Sequence, residues 1–62
     1  MTPAEARQAL GISVEEMARA MGVHRKTWVK WELGERKPDN AALQLMQLLC
    51  WLHDNRGPTL AL

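Results

Sequence analysis

The residues with the most chemistry to offer lie between positions 24 and 37, in HRKTWVKWELGERK. Arg25, Lys26, Lys30, Arg36 and Lys37 stand there against Glu32 and Glu35, a local excess of three positive charges in a chain whose formal net charge is +1. The segments on either side each carry one more carboxylate than cation. Positive charge confined to one stretch is the footprint of a face for a polyanion rather than of general basicity. Guanidinium and ammonium groups neutralise phosphates, and near a helix N-terminus they also reach the O6 and N7 acceptors of guanine.

Cys50 and His53 are the other pair with reactive potential, three residues apart. They make half of a metal site, or a thiol beside an imidazole. No third or fourth ligand is evident, because the one other histidine, His24, belongs to the basic stretch. The expectation is therefore no metal, no cofactor and no catalytic residue, with Cys50 a buried free thiol and His53 a histidine at a helix end. A lone cysteine excludes an internal disulfide and fits a reducing cytoplasm. No N-terminal apolar run resembles a signal peptide, and the longest apolar run, LLCWL at 48–52, is far too short to cross a bilayer. A cytoplasmic protein without membrane contact is expected.

The elements that must position these groups are helices, since no run alternates with period two. Thr2 before Pro3 is an N-cap ahead of a proline at the first helical position, with Glu5 read as one residue short of a capping box; that helix stops at Gly11. Ser13 with Glu16 forms a capping box for a helix carrying Val14, Met17, Ala18 and Met21 at helical spacing and closed by Gly22. A third helix runs from near His24 to Gly34, and a fourth, capped by Asp39 or Asn40, runs to about His53. Gly57 and Pro58 are expected to end it, leaving TLAL in a short apolar tail. At 62 residues this is one domain, and a chain so short buries only about 60% of its extended surface. The expected organisation is a compact all-α, four-helix domain over 1–56, with a helix-turn-helix at about 13–33, a fourth helix at about 39–54, and a tail at 57–62.

On a wheel of about 100° per residue, Trp28 and Trp31 fall on one side of the third helix, and Arg25, Lys26, Val29 and Lys30 on the other. A basic stripe on a short helix is ordinarily a solvated face. Its place on the outward side of the second helix of the motif, with a further basic pair in the next loop, favours contact with nucleic acid. The tryptophans are expected to pack inward.

The run GISVEEMARAMGVHRKTWVKWELGERKP, residues 11–38, resembles the lambda-repressor-like, or Xre-type, helix-turn-helix family. The resemblance extends loosely from Arg7 to about Leu49. It implies a sequence-specific regulator of transcription that binds double-stranded DNA, working as a dimeric repressor or autorepressor on a palindromic operator by covering a promoter. With the wheel, it points to Arg25, Lys26 and Lys30 as base readers, with Thr27 at the stripe's edge and Val29 against a thymine methyl. Arg36 and Lys37, with Ser13 and His24, are expected on phosphates. Arg7 and Glu32 match family positions that form a structural ion pair. Two departures stand out: Val14 replaces the usual glutamine whose amide holds a phosphate, and His24 replaces the usual Ser or Thr, as a poor cap or a phosphate contact.

The fourth helix carries a second signal. Its apolar residues span an arc of about 220°, well beyond the 100° or so that one core-facing helix needs. Trp51 lands beside Gln44 and Gln47, and an aromatic among glutamines is a typical interface anchor. Trp51, Leu48, Gln47 and Gln44 are thus the expected homodimer interface, against the plainer reading of a tryptophan lying along the surface. The alternative function is an antitoxin-like module that seizes a partner protein through this helix and the tail.

Overall fold

A computed structural model describes the backbone of residues 1–60 and the side chains of residues 1–55. Among them are four helices, α1 (Pro3–Leu10), α2 (Val14–Met21), α3 (Arg25–Leu33) and α4 (Asn40–Leu60). No strand occurs among the described residues. The long α4 packs on α1 and α2, while α3 lies across α2 and touches α1.

Local chemistry dictates where the first three helices begin and end. Ser13 Oγ accepts from the Glu16 N–H at 3.1 Å, and the Glu16 carboxylate accepts from the Ser13 N–H at 2.9 Å. Thr2 and Glu5 do the same at 3.1 and 2.8 Å. The capping box at α1 is therefore complete: Glu5 stands three residues after Thr2, the full spacing, and the expectation of a shortfall was a miscount. Asp39, not Asn40, caps α4, its Oδ1 accepting from the Ala42 N–H at 2.9 Å. Gly11, Gly22 and Gly34 take left-handed φ of 68°, 71° and 77°. After each, the next residue's N–H bonds back to the helix: Ile12 to the Arg7 carbonyl, Val23 to Ala18, Glu35 to Lys30.

α4 departs from expectation at its far end. It continues through Gly57 and Pro58 to Leu60 instead of stopping near His53, so residues 57–60 belong to the helix and His53 is not at its end. The three observed stops explain the difference. Each uses the N–H of the residue after glycine, and Pro58 has none. Glycine and proline weaken a helix interior by about 1 and 3 kcal/mol, but this pair lacks the donor for the closure used elsewhere. Ala61, Leu62 and the side chains of the TLAL segment lie outside the described residues.

The core is Ala6, Met17, Ala18, Met21, Trp28, Met46 and Cys50. Trp28 is wholly buried, and half-buried Trp31 meets it edge to face with ring centroids 5.7 Å apart. Arg7 ties the helices together as expected. Its Nε and Nη2 donate to the Glu32 carboxylate at 2.6 and 3.1 Å, and its Nη1 donates to the Ile12 carbonyl at 3.2 Å. Glu32 also accepts from Trp28 Nε1. The Arg7 bonds hold the Glu32 carboxyl below its ordinary range, against partial burial that pushes it up, with the Trp28 bond adding to the lowering. The Arg7 guanidinium is correspondingly raised by Glu32.

A carboxyl depressed in the folded state stabilises the fold above its unfolded pKa, and that stability is lost as pH falls through the folded value. Glu32→Gln is therefore expected to be less stable than wild type at neutral pH and to lose less stability on acidification. Denaturant melts between about pH 6 and pH 3 should show the two proteins converging; parallel curves would exclude Glu32 as a source of acid sensitivity.

Candidate nucleic-acid interface

α3 presents its cations because its opposite side is fixed. Trp28 fills the core one helical turn from Lys30's neighbours, and Glu32 is bound to Arg7, so the helix has little freedom to roll. Arg25, Lys26 and Lys30 are exposed on the far side, with Val29 half-buried among them and Thr27 half-buried at the stripe's edge. Arg25, Lys26, Val29 and Lys30 line one shallow depression together with Leu33 and Glu35. Arg36 and Lys37 are exposed in the loop that follows.

Leu33 was missed by the sequence reading. It is 66% exposed and falls at about the middle of the outward arc at 100° per residue. The wheel held that signal, but an apolar residue at a helix end is easily assigned to the core. Glu15 was missed too. Its Oε1 lies 3.8 Å from Arg25 Nε, across the turn between α2 and α3.

His24 proves to be the cap of α3. Its Nδ1 accepts from the Lys26 N–H at 3.2 Å, with the residue in extended backbone at φ −69°, ψ 147°. An accepting Nδ1 places the proton of a neutral ring on Nε2, which is left as a donor beside the helix mouth. The choice between cap and surface contact is therefore not exclusive. Ser13 is likewise occupied as a cap acceptor and keeps its hydroxyl proton to donate. Val14 is half-buried against the core and carries no polar group toward the surface.

The remaining candidates are dispersed. Trp51 and Leu48 are 60% and 51% exposed on α4, and Gln44 and Gln47 are exposed beside them. Leu52, omitted from the expected interface, extends this surface at 45% exposure. Cys50 faces the other way, its thiol 3.7 Å from the Ala6 carbonyl. Burial first, and the Asp54 carboxylate second, hold it above the ordinary thiol range, which keeps it an unreactive thiol. His53 is exposed beside an apolar groove lined by Leu10, Ile12, Ala20, Leu49 and Leu52. Among the described residues no group of three or more His, Cys, Asp and Glu is placed to hold a metal, and no helix is long and apolar enough to cross a membrane.

A family model described as helix-turn-helix matches residues 4–47, which take in α1 from Ala4 on, both helices of the motif, the basic loop and the first part of α4. No curated protein and no solved structure matches the chain.

The angle between α2 and α3 depends on Gly22, whose φ of +71° an L side chain adopts at a cost of about 1 to 2 kcal/mol. A Cβ there would meet nothing within 4 Å, so the cost is backbone alone. Gly22→Ala is expected to lower unfolding stability by about that amount, and Gly22→Asn by less, in chemical melts. An unchanged midpoint for Gly22→Ala would mean that the turn relaxes to another conformation.

Proposed function

The chain belongs to the lambda-repressor-like, Xre-type helix-turn-helix family of DNA-binding transcription regulators, and from that premise we propose that it is a cytoplasmic dimeric repressor that occupies a palindromic operator. The observation that carries the reading is the exposed line of Arg25, Lys26 and Lys30 on a helix whose other side is locked by Trp28 and Glu32. An α-helix fits the major groove, and a rigid one presents its donors in fixed register to base edges. Val29 and Leu33 lie among these cations and Thr27 at their edge, placed to meet bases or their methyl groups. Arg36 and Lys37 in the loop, with His24 Nε2 and the Ser13 hydroxyl at the two helix starts, meet phosphates, which set position and affinity without carrying sequence.

The dimer rests on α4. Leu48 and Leu52 form an exposed apolar line with Trp51 and the glutamines at its side. A symmetric pairing of these residues would cover them and set two recognition helices one DNA turn apart, about 34 Å. Promoter occlusion is the simplest mechanism, since a bound dimer excludes polymerase by volume alone. The same α4 surface suits a partner protein, which is the second reading.

Selection of bound DNA from a random library is expected to return a palindromic consensus. Arg25→Ala or Lys30→Ala should cost about 1 to 3 kcal/mol and relax preference at single positions, whereas Arg36→Ala should weaken all sequences alike and reduce the salt slope by about 1. Base readers that leave the consensus unchanged would defeat the assignment. Sedimentation at micromolar concentration is expected to give a dimer that Trp51→Ala and Leu48→Ala convert to monomer. A wild-type monomer both free and on operator would instead leave α4 to a partner protein.

A further inference from the structure

Among the described residues there are two ion pairs. One is the structural pair of Arg7 and Glu32; the other joins Glu15 at the start of α2 to Arg25 at the start of α3. The second does little for folding, because its side chains are 59% and 73% exposed and 3.8 Å apart. Its location is more informative. Of the five outward cations from Arg25 to Lys37, Arg25 alone has a carboxylate within reach among the described residues, and it sits in the first turn of the helix that carries the stripe.

We propose that Glu15 is a positioning residue that sets how Arg25 reads its base. A guanidinium offers three nitrogens in a rigid plane. With the Glu15 carboxylate 3.8 Å from Nε, the two terminal nitrogens remain for the fork that matches O6 and N7 of guanine. Neighbouring residues leave this task to Glu15. The Glu16 carboxylate is committed to the Ser13 N–H at 2.9 Å, and Val14 packs against the core without a polar group. Restricting Arg25 before contact lowers the ordering cost of the right complex. Glu15 also places a negative charge beside the phosphates, which weakens every complex in which Arg25 finds no base. The pair therefore trades affinity for selectivity.

The inference rests on the DNA-reading assignment above, and its test separates the two. Glu15→Gln is compared with wild type in the background of native Arg25 and of Arg25→Lys, by library selection and by affinity for operator and random DNA. Glu15→Gln is expected to reduce guanine preference at one position of each half-site by about 3- to 10-fold, part of the discrimination of a bidentate pair, while binding random DNA more tightly. It should do neither further harm nor good to selectivity in Arg25→Lys, and it should leave the melting temperature unchanged. In the DNA-free protein, ¹⁵N relaxation at Arg25 Nε should report a more mobile guanidinium in Glu15→Gln. Equal mobility in the two proteins overturns the bracing itself. A preference change at a base that Arg25→Ala does not affect also overturns it, since Glu15 would then be accepting from a cytosine amino group. If Arg25→Ala leaves selectivity intact, the reading of DNA by this arginine falls, independently of the mobility result.

Discussion

The structure depends on one carboxylate. Glu32 receives two bonds from Arg7 of α1 and one from Trp28 of its own helix, and Arg7 reaches on to the Ile12 carbonyl at the entry to α2. Beside the apolar core they share, α1, the entry to α2 and α3 are thereby tied to a single point. Charge-assisted bonds are stronger than neutral ones and more demanding of direction. The arrangement sets the rotation of α3 as well as its position, and rotation decides whether Lys30 or Trp31 faces outward. Trp28, wholly buried on the same helix, holds that roll from the apolar side.

The second constraint is the short connections. Gly11, Gly22 and Gly34 each close a helix by the same two backbone bonds and release the chain in a new direction within a residue or two. Short turns leave the helices few ways to pack, and seven buried side chains among the described residues form the core. Those seven include three methionines, two on α2 and one on the 21-residue α4, whose flexible side chains fill irregular space between the helices. Such a core specifies orientation weakly, which is why the polar anchor at Glu32 carries so much of the geometry.

Much of this was legible in the sequence, because it is written in local rules. Capping boxes, glycine stops and the two-sided wheel of α3 each depend on residues within a turn or two of one another. The family resemblance added the Arg7–Glu32 pair, which spans 25 residues and which no local rule would give. What escaped notice has physical causes. The stop at Gly57 and Pro58 was inferred from residue type, whereas the stops actually used require a donor that proline lacks. Glu15 comes near Arg25 only through the angle between α2 and α3, and a helical wheel describes one helix at a time; Leu33 lay on the wheel of α3 itself, but an apolar residue at a helix end reads as core. His24 was posed as either cap or contact because the ring was treated as one polar group. Its two nitrogens are separate sites, and one of them is used by the cap.

The two exposed features of the surface differ in kind, and the difference bears on how they would work together. The exposed cations of α3 stand on a helix held from its other side by Trp28 and Glu32. The line of Leu48, Trp51 and Leu52 on α4 consists of large apolar side chains exposed at 45% to 60%, which would gain from being covered. A domain of this size has little stability to spare, so covering α4 with a second copy would add to folding stability by mass action. In the proposed dimer the same event would join two rigid readers, and the second half-site would then bind at the effective concentration set by the first. Folding, association and DNA affinity would rise together with protein concentration. That coupling suits a repressor whose occupancy of its operator has to respond steeply to its own amount.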